Sequence, residues 1–386
     1  MDNIAGTKSS LTWAVHLSVA LLVALWLFPT VGLFVSSFRT ADQIATNGWW
    51  KALFPSEQNL TLRTDSPETQ VQQGALYVIE GNLFAVDGRP VDEATVSAWG
   101  TSSRDIAAYE PGDVAEVDDG ATLTVDDAGN YRMEGPAEFT GRRGERVFVV
   151  ATTPPELTFE NYRNLLFSGR NTDGMVNAFF STMTVTIPAT VIPILIAAFA
   201  AYALAWMDFK GRALLIALVV GLLVVPLQLA LIPLLKLHLA IGIGKGYLGV
   251  WLAHTGFGLP MAIYLLRNYM AGLPRDIIEN ARVDGATEFQ IFTKIILPLS
   301  FPALASFAIF QFLWTWNDLL VAKVFLIDAT GQTTVMTAQI VDLLGTRGGN
   351  WEILATAAFV SIAVPLFVFF AMQKYLVRGL LAGSVK

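Results

Sequence analysis

The side chains that ordinarily do catalytic chemistry are sparse in this sequence and badly spaced for it. There is no cysteine, which excludes a disulfide framework and a thiolate metal site. The three histidines, His16, His238 and His254, stand at unrelated positions, and none belongs to a His-Glu-x-x-His pair. The glycine-rich run Gly242-Ile243-Gly244-Lys245-Gly246 lacks both the spacing and the Ser/Thr of a phosphate cradle. The chain therefore has no usual site of its own for ATP, and such an energy source must be a partner's. No nucleic-acid partner is expected. What stands out instead is a polar island between two long apolar segments, Glu279-Asn280-Ala281-Arg282-Val283-Asp284-Gly285-Ala286, with Leu297-Pro298 eleven residues later. It reads as helix, tight turn, helix. Pro274 suits a first helical position, where its missing N–H costs nothing. Ile277, Ile278 and Ala281 then share a helical face. Gly285 gives the backbone freedom for a sharp turn. Thr287 and Gln290 have capping-box spacing, and Phe289, Phe292, Ile295 and Ile296 form the next apolar face. Pro298 is expected to end that helix and open the next segment.

The elements around this island are apolar. Hydrophobic residues make up 54% of the 386-residue chain and charged residues only 15%, with a mean hydropathy of +0.52. Such a composition points to several membrane spans in contact with lipid. Six segments are long enough, near 11–35, 176–206, 213–235, 247–267, 299–327 and 353–373. The first reads as an uncleaved anchor. Short-loop basic residues set the orientation. With the N-terminus inside, the inner parts hold Lys8, Lys210, Arg212, Arg267, Arg275, Arg282, Lys294, Lys374, Arg378 and Lys386. The short outer loops hold only Lys236, Lys245 and Arg347. Both termini and the island are thus expected in the cytoplasm. Prolines 29, 188, 193, 226, 233, 260 and 365 lie inside the spans, which suits kinked or broken helices.

The net charge of −7 hides a division. Residues 63–156 carry 18 acidic and 7 basic side chains, net −11; the rest carries 14 acidic and 18 basic, net +4. The acidic stretch reads as an external all-β, sandwich-like insert between the first and second spans. Its strands are expected at 75–80, 83–86, 94–99, 121–125, 131–133 and 146–152, with turns at Asp87-Gly88 and Asp127-Ala128-Gly129-Asn130. The acidic pairs Asp118-Asp119 and Asp126-Asp127 read as solvated turns rather than a calcium site. The flanks Leu60-Thr61-Leu62 and Leu157-Thr158-Phe159 echo each other, as if one segment had been opened. The expected organisation is 1–62 with the first span, the insert 63–156, and a helical core 157–386 whose island region spans 268–298.

Glu279, Ala281, Asp284, Gly285, Ala286, Leu297 and Pro298 match the cytoplasmic EAA loop of bacterial ABC importer permeases, which this stretch resembles. Asn280 departs from the pattern, replacing an alanine. Ser36-Ser37-Phe38-Arg39-Thr40, Ala200-Ala201-Tyr202-Ala203-Leu204-Ala205 and Trp316-Asn317-Asp318-Leu319 are similar to stretches of maltose-type carbohydrate permeases. A large insert after the first span is similar to α-glucoside permeases. The insert itself looks like a carboxypeptidase-regulatory or transthyretin-like module. The resemblance implies a permease of the bacterial inner membrane, working by alternating access beside a second homologous permease, an ATPase homodimer and an external solute-binding protein. ATP and Mg would be bound by the ATPase, and this chain would hold no cofactor. It also implies that Glu279, Asn280, Ala281, Asp284, Gly285 and Ala286 couple to the ATPase. The tail, with Gly383, Ser384 and Lys386, would reach the same interface.

A carbohydrate path needs aromatic faces and hydroxyl-matching amides, which Gln311, Trp314, Trp316 and Asn317 supply within one span. Packing between helices is the alternative use of the tryptophans. Asp318 and Lys323 are ionisable residues near a membrane segment and hence functional candidates; His16 and His254 read as packing histidines. Three other functions compete: an importer of another solute, a membrane enzyme with an external domain, and a receptor or scaffold whose outer β module binds a ligand. The insert has no His, no Cys and no recognisable nucleophile motif, which weighs against the enzyme.

Overall fold

The computed structural model describes residues 10–85, 94–117, 120–155, 157–167, 172–326, 333–346 and 350–382. It divides into two compact units, residues 1–161 with 350–355, and residues 162–349 with 356–386.

The first unit opens with α1 (Ser10–Ser36), apolar on all sides. Leu17 and Trp26 on it are 73% and 80% exposed, which calls for an apolar surrounding rather than water. The chain then turns through Ser37–Thr40 into α2 (Ala41–Thr46), opened by a complete Thr40–Gln43 capping box. Arg39 is buried beneath it and donates to the carbonyl oxygens of Gln43 (2.6 Å) and Asn47 (3.0 Å). A cation suits the carbonyl end of a helix, and burial pulls the guanidinium below its ordinary value. Asn161 ties down the same turn, its amide donating to the carbonyls of Ser37 (2.9 Å) and Arg39 (2.8 Å).

Among the described residues eight strands follow: β1 (Ser56–Arg63), β2 (Val71–Gln73), β3 (Leu76–Asn82), β4 (Thr95–Gly100), β5 (Val114–Glu116), β6 (Thr122–Val125), β7 (Asn130–Gly135) and β8 (Arg146–Thr153). They form two antiparallel sheets, β1-β8-β4 and β2-β3-β7-β6-β5. Alternation decides the faces. Val147, Val149 and Ala151 of β8 and Leu123 and Val125 of β6 point into one shared core with Trp99 and Tyr131. Tyr131 reaches Asp65, accepting from its N–H (2.6 Å) and donating to its carboxylate (2.9 Å). Burial pushes the Tyr131 hydroxyl above its ordinary value.

Three differences from the sequence expectations arise in this unit. Residues 83–85 are no strand, because Leu83 and Phe84 turn inward after β3; Val86 lies outside the described residues. β2 and β5 were not foreseen; each has only three residues, too short to show alternation. The boundary at residue 63 cuts the sheet. Residues 59–62 lie in β1, which pairs with β8 in full register from Ser56↔Thr153 to Arg63↔Arg146. At the turn after β6, both carboxylate oxygens of Asp126 are taken by Asn130, by its backbone and side-chain N–H at 2.7 and 2.9 Å, and Gly129 has φ +78°. Among the described residues no group of three His, Asp or Glu side chains could hold a metal. Asp87-Gly88 and Asp118-Asp119 lie outside the described residues.

After α3 (Glu160–Leu166), the rest of the chain is helical: α4 (Thr172–Trp206), α5 (Arg212–Leu222), α6 (Leu227–Ala240), α7 (Tyr247–Ala271), α8 (Arg275–Val283), α9 (Glu288–Ile291), α10 (Leu297–Leu299), α11 (Phe301–Trp316), α12 (Leu320–Phe325), α13 (Met336–Thr346) and α14 (Trp351–Ala382). A π-helical turn, Phe292–Ile296, joins α9 to α10. Small residues let α4 and α7 approach closely; Ala189, Ala197, Ala201, Ala253 and Ala262 are buried.

Across the described residues four helices, α1, α4, α7 and α14, are long and apolar enough to cross a membrane. Two bent pairs raise the number to six if each pair is one span. The segment 213–235 is one pair, α5 and α6, which meet at 110°. Pro226, without an N–H to donate, is the N-cap residue at that elbow. The segment 299–327 is likewise interrupted. A 70° bend precedes α11, and the chain leaves the helix at Asn317 before α12. Pro29, Pro188, Pro193, Pro233, Pro260 and Pro365 lie within continuous helices. Pro226 alone of the predicted prolines sits at a break.

Candidate functional site: the capped turn and the cavity beside the elbow

α8 begins at Arg275, one residue later than the sequence suggests, because Pro274 sits extended at the N-cap. The helix ends in a Schellman motif. The N–H of Gly285 donates to the Arg282 carbonyl and that of Ala286 to the Ala281 carbonyl, both at 3.0 Å. Gly285 has φ +80°, a conformation that a side chain disfavours. Two residues on, Thr287 and Gln290 cap the next helix reciprocally, Thr287 N to Gln290 Oε1 at 2.9 Å and Gln290 N to Thr287 Oγ1 at 3.3 Å. The polar island is thus a turn closed at both ends by its own hydrogen bonds.

Packing fixes the turn to the helices behind it. Ile278, Ile291, Phe292 and Ile296 are buried against Ala197, Ala201, Tyr202, Leu266 and Met270 of α4 and α7. The opposite side is open: Glu279, Asn280, Asp284 and Gly285 are exposed, while Ala281 and Ala286 are half-buried. Glu279 pairs with Arg275 of its own helix at 2.8 Å. Both side chains are largely exposed, so the pair stabilises by only about 0.3–0.5 kcal/mol. Phe289, expected on the inward face, is 65% exposed, and Val283 at the end of α8 is 86% exposed. The inward phenylalanine is Phe292. Phe289 was missed as a surface residue because the π-helical turn after Ile291 shifts its phase relative to Phe292 and Ile296; Val283, the last residue of α8, was not singled out.

The second feature is a cavity of about 800 Å³. Leu223 and Leu227 of the α5–α6 elbow, Phe257 and Met261 of α7, and Phe310, Gln311 and Trp314 of α11 line it. Of the predicted path residues, Gln311 and Trp314 meet here. Gln311 is buried, donates to the Ala189 carbonyl at 3.1 Å and lies against Gly258. The other two do not reach the cavity. Trp316 is 1% exposed, stacked on Phe312, with its indole N–H bound to the Ser361 carbonyl at 2.9 Å. Asn317 terminates α11 and donates to the Leu313 carbonyl at 2.8 Å. Asp318 caps α12, accepting from the Ala322 N–H at 3.0 Å, and lies 3.6 Å from His254 Nε2. Lys323 is exposed, and His16 bonds to the Thr12 carbonyl one turn back. Gly383, Ser384 and Lys386 lie outside the described residues.

Residues 167–381 match the family described as the binding-protein-dependent transport system inner membrane component. Over 384 residues, 98% of each chain, the sequence is 60% identical to the alpha-glucoside transport system permease protein AglG of Rhizobium meliloti (strain 1021). That match must include the β-rich part. The osmoprotective compounds uptake permease protein GgtD of Synechocystis sp. (strain ATCC 27184 / PCC 6803 / Kazusa) is 58% identical over 242 residues, 62% of this chain and 80% of that one. The arabinooligosaccharides transport system permease protein AraQ of Bacillus subtilis (strain 168) is 33% identical over 233 residues, 60% of this chain and 80% of that one. The apolar helices, the doubly capped polar turn and these matches together place the chain in the family of binding-protein-dependent transport system inner membrane components, as a permease subunit of a transporter.

Proposed function

We propose that this chain is a permease subunit of an ATP-driven importer for α-glucosides or related oligosaccharides in the bacterial inner membrane. The observation that carries the sugar class is 60% identity to an alpha-glucoside permease along 98% of both chains, β-rich part included. An importer of osmoprotective compounds is the second reading. GgtD favours it, but that match leaves more than a third of this chain unaccounted for. ATP and Mg belong to a separate ATPase dimer, and a second permease and an external binding protein complete the machine. A receptor or scaffold would have no need of the 800 Å³ cavity between the elbow and α11.

The exposed face of α8, with Glu279, Asn280 and Asp284, is the surface offered to the ATPase, and Val283 and Phe289 are its apolar anchors. A lever must not bend where it is pushed. The two caps and the buried Ile278, Ile291 and Phe292 supply that stiffness. At the cavity, the lining is nearly all apolar, and one amide hydrogen of Gln311 is already committed to Ala189. It offers a sugar Trp314 as a stacking face and little else, so the second permease supplies most hydroxyl contacts. The finer topology has six spans, with each bent pair counted as one, both termini inside and the β-rich part outside.

Two experiments test this. A reporter fused near Asp284 should report the cytoplasm and one near Gly100 the outside; a cytoplasmic signal at Gly100 overturns the topology. Binding-protein-dependent uptake by vesicles holding the complete complex should select α-glucosides over polyol and betaine osmoprotectants. The reverse selection overturns the substrate class.

A further inference from the structure

Glu288 is the first residue of α9, on the far side of the Gly285 turn from α8. Both of its carboxylate oxygens are engaged. Oε2 accepts from the Tyr202 hydroxyl at 2.5 Å, in the last turns of α4. Oε1 accepts from Arg282 Nε at 3.0 Å, on α8. Arg282 then uses Nη2 to donate to the Trp206 carbonyl at 3.2 Å, the final residue of α4. Trp206 in turn donates from its indole N–H to the Met270 carbonyl at 3.1 Å, at the end of α7. One carboxylate and one guanidinium thus hold the end of α4 from both sides of the turn.

Apolar packing already keeps α8 and α9 against α4, but burial is non-directional and lets helices slide or roll. Charge-assisted hydrogen bonds fix distance and angle. Tyr202 is 5% exposed and its ring packs on Phe292, so its hydroxyl is aimed by a rigid base. The glycine turn between Arg282 and Glu288 is the place where a push on α8 would otherwise be absorbed.

We infer that Tyr202, Glu288 and Arg282 are positioning residues that clamp the turn to the end of α4, so that a displacement of α8 is delivered to α4 whole. This rests on the reading of α8 as the ATPase-facing element. The chain has no cysteine, so a spin-label pair can be placed at Leu195→Cys on α4 and Asp276→Cys on α8, both exposed positions. In the assembled complex, the label distance should be narrowly distributed and the same with and without ATP, because the two helices move together. With Tyr202→Phe and Glu288→Gln added, it should broaden and shift when ATP binds. Tyr202→Phe keeps the ring on Phe292, so the fold is not at stake. Sugar moved per ATP hydrolysed should fall about tenfold in either single variant, the loss of one charge-assisted bond, and no further in the double. An ATP-driven distance change already present in the unsubstituted pair overturns the clamp. So do variants that keep the wild-type distance and the wild-type ratio. Failure of the wild-type complex to move any sugar strikes the functional reading alone, since the distance measurement still reads the clamp.

Discussion

Gly258 and Gln311 show how a single side chain sets the wall of the cavity. A Cβ at Gly258 would lie 2.8 Å from Gln311 Oε1 and 2.9 Å from Nε2, so the amide would have to shift. Gly258→Ala should therefore drive the amide off the Ala189 carbonyl and leave buried polar groups unpaired, a loss of about 1–3 kcal/mol. A drop of several degrees in the thermal midpoint of the detergent-purified protein is the expected result; an unchanged midpoint would mean that the amide relocates without cost. Residue identity forecast this site unevenly. Gln311 and Trp314 stood out as an amide and an indole in an apolar span, and they do share a wall. Trp316 and Asn317 carried the same chemical types, yet one is enclosed by Phe312 and Ser361 and the other closes a helix. Nothing in composition tells a lining indole from a packed one; only the path of the helix does.

At the scale of elements, the caps carry the argument. Thr287→Ala removes the hydroxyl that accepts from the Gln290 N–H at the start of α9, one of the two reciprocal bonds, and should cost about 1 kcal/mol. If the turn is a lever, the variant should keep its ATPase bound while uptake falls severalfold; Thr287→Ser, which keeps the hydroxyl, should behave as wild type. Equal uptake in all three would remove the caps from the mechanism. The box was legible from Thr287 and Gln290 because its geometry is local, three residues apart. The Schellman closure was half legible, through Gly285. The elbow at Leu223–Pro226 was marked only by Pro226, which nothing in the sequence sets apart from the six span prolines that stay within helices, while hydropathy runs unbroken through the 110° bend. Strand β1 was missed for a related reason. Ser56-Glu57-Gln58-Asn59 is too polar to look like a strand, and its place is set by eight residue pairs with β8, about ninety residues away. Long-range pairing leaves little trace in a local pattern.

For the whole molecule, the same pairing moves the limits of the β-rich part. Residues 56–153 contain every described strand of both sheets and carry 18 acidic and 7 basic side chains. That fragment should be soluble, with a β-type circular dichroism spectrum and one cooperative thermal transition. The fragment 63–156 lacks all of β1 but Arg63, leaves an edge of β8 bare and should aggregate or melt well below it. Equal stability of the two would put β1 outside the folding unit. The account of the full chain rests on its turn. Proline at position 285 cannot adopt φ +80° and has no N–H for the Arg282 carbonyl, so Gly285→Pro breaks the Schellman closure without touching the spans. The most direct measurement is ATP-driven α-glucoside uptake into proteoliposomes holding the complete complex, wild type beside Gly285→Pro. The account predicts accumulation with the wild type and none with Gly285→Pro, although both insert equally; uptake by Gly285→Pro at the wild-type rate would contradict it.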